Sequence, residues 1–186
     1  MYPPLPKAKK RSRVPRSSMG RMRRVVVLGR GAAGKSSLAT RLGDITGLPV
    51  IELDRLFWQP GLAPLPVESW TRLQRQLAGR EAWIMDGDLG PHDALEVRLR
   101  PADTVVVLDF PLVRCAWRAL RRSRERLDFW VWLVGYRRRS LPLVERAIAE
   151  HASGAAVHVL RSPGAVRTFL AAVASQSSQQ RGRNAG

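Results

Sequence analysis

Residues Gly29-Arg30-Gly31-Ala32-Ala33-Gly34-Lys35-Ser36 constrain this chain more than any other stretch. They follow a short β-branched run, Val25-Val26-Val27, and precede a segment in which Leu38, Leu42 and Ile45 fall on one helical face. The octapeptide matches G-x-x-x-x-G-K-[ST] at every fixed position, in the strand-to-helix setting where that pattern has physical meaning. Its glycines let the backbone turn tightly and aim successive N–H groups at phosphate oxygens. Lys35 brings a mobile charge to the β- and γ-phosphates, and Ser36 offers a hydroxyl to magnesium. The following helix adds the positive end of its dipole. Gly29, Arg30, Gly31, Ala32, Ala33, Gly34, Lys35, Ser36 and Ser37 are therefore the expected binding residues for a nucleoside triphosphate, taken as ATP, with Mg2+.

Beyond residue 24, lysine occurs once, at Lys35, in a chain that otherwise uses arginine for its positive charge. A compact ammonium suits a tight phosphate cradle better than the wide fork of a guanidinium. The net charge of +17 is unevenly placed, since residues 1–24 hold nine basic residues and no acid. That Pro-rich segment has no hydrophobic periodicity, and residues 1–22 read as a disordered leader able to contact nucleic acid nonspecifically. An equal alternative is that Met19 or Met22 is the true start. The single cysteine, Cys115, excludes an internal disulfide framework and a multi-cysteine zinc site, which suits a reducing cytoplasm. No apolar run approaches the roughly 18–20 residues needed to span a bilayer.

Further along, Val50–Leu53, Trp83–Met85, Thr104–Leu108 and Ala156–Leu160 read as strands. Helical patterns cover 35–46, 67–77 and, with breaks expected at Gly135 and near Pro142, 112–151. Residues 55–66 read as a loop because of Pro60, Gly61, Pro64 and Pro66. Ser162-Pro163 opens a last helix through Val173, and residues 175–186 read as a disordered tail. Strands alternating with helices predict a three-layer α/β/α domain over residues 23–174 with a parallel sheet.

Such sheets bind ligands beyond the carboxyl ends of their strands. Asp54, Asp86 and Asp109 each follow a predicted strand. Asp86 and Asp109 compete as the carboxylate that orients magnesium, while Asp54 is placed to touch an acceptor or act as its base. Arg118 and Arg122 lie four apart on one helical face, where cations could meet a migrating phosphoryl group. Lys35, Asp54 and Arg122 are thus the candidate catalytic residues. Arg124, Arg126 and Arg137–Arg139 read as a solvated basic face, and His92, His151 and His158 lack metal-like spacing.

The order of these motifs resembles an adenylate-kinase-like family often labelled topology modulation protein, within the P-loop nucleoside and nucleotide kinases. The resemblance spans about residues 23–173. It rests on the loop, Leu53-Asp54-Arg55-Leu56-Phe57-Trp58, Asp86-Gly87, Leu108-Asp109-Phe110-Pro111 and Leu160-Arg161-Ser162-Pro163. It implies a sheet of order 2-3-1-4-5, Arg118 flanking the base, Arg122 on the triphosphate and the Arg161–Pro163 loop lining the base site. It also implies transfer of the γ-phosphoryl of ATP to a small acceptor. The alternative is an ATP-binding regulatory protein with a nucleic-acid-contacting surface and little turnover. Asp88-Leu89 replaces the family's usual Asn-Tyr, Leu112 stands where an arginine is usual, and the stretch before Phe129 is shorter than the family's lid.

Overall fold

The computed structural model describes residues 22–58, 63–89, 93–122 and 127–184. The basic leader therefore lies outside the described residues, apart from Met22, which packs against the core. Five parallel strands form one sheet: β1 (Arg24–Gly29), β2 (Val50–Glu52), β3 (Trp83–Asp86), β4 (Thr104–Leu108) and β5 (Ala156–Leu160). Their order is β2-β3-β1-β4-β5. Eight helices connect or follow them among the described residues: α1 (Lys35–Thr46), α2 (Leu53–Phe57), α3 (Val67–Ala78), α4 (Leu95–Leu99), α5 (Leu112–Arg122), α6 (Leu127–Arg139), α7 (Leu141–His151) and α8 (Pro163–Asn184).

Strand alternation divides the core in two. Val25, Val27, Ile84, Val106 and Leu108 face one way and pack with Leu38, Leu42, Phe169 and Leu170 from α1 and α8. Val26, Leu28, Met85, Val105 and Val107 face the other way, against Trp70, Leu77, Leu99 and Val144 from α3, α4 and α7. Both faces of the sheet are thus covered, which is why its inner strands are continuous apolar runs rather than alternating ones. The chain leaves β1 toward β2 on one side and later crosses to β4 on the other. This reversal opens a crevice at the carboxyl end of β1, where the loop sits.

Several local expectations need correction. The second strand ends at Glu52, and Leu53 begins α2, because Leu53 and Phe57 are four apart and both buried on one helical face. Asp54 is therefore in the first turn of that helix rather than directly at a strand end, and the predicted loop begins only after Phe57, with 59–62 outside the described residues. Gly135 does not break a helix, since α6 runs through it. The expected tail is helical as far as Asn184, because a helix already nucleated by the packed turns around Phe169 and Val173 extends at little cost.

Candidate active site

The loop leaves β1 and enters α1 through a glycine, Gly34, at φ 98. A β-carbon there would be strained by the backbone and would stand 3.1 Å from a guanidinium nitrogen of Arg118. The amino end of α1 has no side-chain cap and no acid in its first turn, so its N–H groups remain directed at the crevice. The Lys35 ammonium donates to the carbonyl oxygens of Gly29 at 2.9 Å and Arg30 at 3.4 Å, which holds it over the loop. Ala32 adopts φ 56, a left-handed conformation uncommon outside glycine, so the turn is locally strained.

At the end of β3, Asp86 is 3 % exposed and neighbours the Ser36 hydroxyl. Its Oδ1 is buried without a partner. Burial raises the pKa of this carboxyl above the ordinary aspartate value, opposed by the Ser36 hydroxyl and by Lys35. Asp54 is open to solvent at its tip, yet the surrounding protein displaces enough water to raise its pKa as well. Lys35 counteracts that shift, while Asp86 and Asp88 reinforce it. The three sequence-predicted residues Lys35, Asp54 and Asp86 are therefore electrostatic neighbours.

Asp109 is engaged differently. Arg137 donates to both its oxygens at 3.4 and 3.2 Å, and Arg161 donates to Oδ2 at 3.2 Å. Arg137 is thus an ion-pair partner rather than part of a purely solvated face, which corrects the reading of its sequence run. Periodicity gave no sign of this, because the partner acid comes from a strand 28 positions away. Among the described residues, no group of three or more His, Cys, Asp or Glu side chains is arranged to hold a metal ion.

On the α8 side of the loop lies a recess of about 230 Å³ lined by Ala33, Gly34, Phe110, Arg118, Pro163 and Arg167, among others. Arg118 and Pro163, which the resemblance assigns to one base site, both line this recess. Arg122 ends α5, and its side chain lies outside the described residues. Arg121 stacks on Trp117, with its guanidinium carbon 4.1 Å from the ring centroid.

Helix α6 covers the outer face of the loop. A β-carbon on Gly31 would lie 2.5 Å from Trp132 and 2.7 Å from Phe129, so only glycine permits this approach. Arg30 is 2 % exposed, its guanidinium 5.7 Å from the ring of Tyr136, with Nε and Nη1 buried and unpartnered. The Tyr136 hydroxyl donates to Asp88 at 2.9 Å. Burial raises the tyrosine pKa far above its usual value, with the Asp88 charge adding to it, so this hydroxyl stays protonated. Sequence reasoning missed the contacts of Tyr136 and Asp88, which α6 creates by folding back over the loop. Residues 123–126, part of the stretch expected to be a short lid, lie outside the described residues.

No protein-family profile matches this chain, and no curated protein matches it in sequence. Among solved structures, a shikimate kinase from Acinetobacter baumannii in complex with shikimate superposes with a TM-score of 0.57 at 17% identity, covering 89% of this chain and 98% of that one. A gluconokinase from Sinorhizobium meliloti 1021 superposes with a TM-score of 0.51 at 18% identity, covering 88% and 98% respectively. At such identities the likeness establishes the fold, an α/β sheet of the kind that these two kinases share.

Proposed function

We propose that this protein is an ATP-dependent phosphotransferase that moves the γ-phosphoryl group of ATP to a small acceptor bound beside Asp54. The carrying observation is that Lys35, held over the loop by the Gly29 carbonyl, shares one electrostatic neighbourhood with Asp54 and the buried Asp86 at the carboxyl edge of the sheet. ATP would lay its phosphates along Gly29–Ser37 and its base in the recess by Arg118 and Pro163. Ser36 and Asp86 would hold Mg2+. The unpartnered buried Oδ1 of Asp86 fits an ion that accepts one carboxylate and keeps waters and phosphate oxygens as its other ligands. Bound there, the metal would neutralise phosphate charge. Asp109 is the weaker candidate for that role, because both its oxygens already take arginine hydrogen bonds.

In the proposed reaction, Asp54 accepts the proton of the acceptor hydroxyl. That oxygen bonds to the γ-phosphorus as the bond to the β-phosphate oxygen breaks, and ADP leaves. Lys35, with Arg122 proposed from the sequence, stabilises the charge on the migrating group. Phe129 and Trp132 over Gly31 shield the reacting phosphate from water. The wider structural likeness to small-molecule kinases supports the class of reaction, while the adenylate-kinase-like assignment rests on the sequence resemblance. A single-turnover screen with γ-labelled ATP against nucleosides, nucleotides and sugars tests the proposal. Label transfer that disappears in Asp54→Asn supports it. Failure of every acceptor while ATP still binds would refute it.

A further inference from the structure

Arg30 carries its charge into the protein rather than into solvent. The residue is 2 % exposed, and its Nε and Nη1 are buried without a hydrogen-bond partner. A buried cation with open donors is costly, and the Tyr136 ring, 5.7 Å from the guanidinium carbon, offsets only part of that cost. The carboxylates around Tyr136 are engaged elsewhere: Asp88 accepts the Tyr136 hydroxyl at 2.9 Å, and Asp109 pairs with Arg137 and Arg161. Trp132 repeats the pattern from the facing helix. Its ring centroid lies 5.5 Å from that of Tyr136, and its Nε1 is likewise buried without a partner. The two residues meet across one contact, because Trp132 rests on Gly31, the neighbour of Arg30 in the loop. All three open atoms are donors, and two of them belong to a full positive charge. An oxyanion is the complement of such a set.

Resting on the phosphotransferase reading above for its nucleotide, we infer that Arg30, with Trp132 as a second donor, forms an oxyanion site between the loop and α6 that holds the terminal phosphate of a bound triphosphate. The backbone of Arg30 already borders that end of the ligand. Its carbonyl accepts from the Lys35 ammonium at 3.4 Å, and that ammonium serves the β- and γ-phosphates. A γ-phosphate oxygen would satisfy the open guanidinium donors with charge-assisted hydrogen bonds, whereas a diphosphate ends short of them. The loop would thus read the length of the phosphate chain with one of its own side chains. Because Arg30 is so deeply covered, the phosphate reaches it as the Trp132 indole shifts from Gly31.

Calorimetry on the full chain with magnesium compares the β,γ-imido triphosphate analogue with ADP. The wild-type protein is expected to bind the triphosphate analogue about tenfold or more tightly than ADP. Arg30→Met keeps an unbranched chain and removes the charge. It is expected to bring that ratio close to one, with ADP affinity unchanged and with Tm without nucleotide equal or higher, since an unpaired buried cation is gone. Trp132→Phe keeps a ring over Gly31 and removes the indole donor; it should narrow the ratio about threefold, and it decides the matter if Arg30→Met does not fold. An unaltered ratio overturns the inference. So does an equal loss of affinity for both nucleotides with a lowered Tm, which would make Arg30 a packing residue of α6. A carboxylate on the acceptor has the same chemistry, so gluconate and glucose are titrated into the ADP complex. A gluconate preference that Arg30→Met removes, with the nucleotide ratio intact, overturns the γ-phosphate as occupant. Phosphoryl transfer together with an unaltered ratio refutes this inference alone. A ratio lost in Arg30→Met, with transfer to no acceptor, refutes the phosphotransferase reading alone.

Discussion

The two sides of the loop are built from the same sheet edge, yet they carry opposite charge. Toward α5 and α8 the wall is arginine: Arg41, Arg114, Arg118 and Arg167 surround the space beside Gly34. Toward β2 and β3 the wall is carboxylate: Asp54, Asp86 and Asp88. One side suits a polyanion with an aromatic base, and the other suits a ligand that brings donors. On the proposed reading, the nucleotide and the acceptor take distinct sides of one lysine, with the phosphates running between. It also explains why the basic composition of the whole chain says little about the acceptor.

The comparison can be broken at its hinge first. Lys35→Ala removes the cation shared by both sides, and ATP binding followed by calorimetry is expected to weaken by about 100-fold or more, since charge-assisted phosphate contacts are among the strong ones. Unchanged affinity would mean that the loop does not hold the phosphates. Next, Asp54→Asn should lower kcat by roughly 10²–10⁴-fold, the usual contribution of a positioned base, with ATP affinity intact. Because desolvation raises the Asp54 pKa, the acid limb of the wild-type kcat profile should lie above the ordinary aspartate range, activity falling as the carboxylate takes up a proton. An acid limb that survives in Asp54→Asn would assign the base elsewhere.

On the other side, Arg118→Ala should raise the Kd for ATP by about tenfold, through loss of one stacked or hydrogen-bonded guanidinium, and leave the acceptor KM unaltered. A change confined to the acceptor KM would reverse the proposed placement of nucleotide and acceptor. The smallest effect is on stability. The folded-state pKa of Asp86 is raised, so its ionised form costs folding free energy at neutral pH, and that cost fades as pH falls through the raised value. Asp86→Asn is therefore expected to raise Tm by a few degrees at pH 7, on the order of 1 kcal/mol, and to lose that advantage in acid. Magnesium-dependent transfer should drop in the same variant. A lower Tm would show that the interaction with Ser36 outweighs desolvation.

Much of this architecture is legible along the chain. The β-branched runs of β1 and β4 read as buried strands because both faces of a parallel sheet must be apolar, and the limits of α1 at Lys35 and Thr46 follow from the loop and Gly47. Helix α4, five residues long, leaves too short a pattern to read. Gly135 looked like a break because glycine is a poor helix former, yet α6 packs Leu133 and Tyr136 into buried positions on either side of it. Tertiary burial outweighed local propensity.

The sequence by itself determined the phosphate loop, since its requirements are met by backbone conformation and by residues adjacent in the chain. It also offered Asp86 and Asp109 as equal candidates to orient magnesium, with Asp54 set apart as an acceptor contact or base. Only the folded structure separated them. Asp86 neighbours Ser36, Asp109 meets Arg137 and Arg161, and Asp54 feels the charges of Lys35, Asp86 and Asp88. Those pairings join residues dozens of positions apart, and the free energy of a carboxylate depends on the charges and water around it in space. No spacing along the chain encodes that environment.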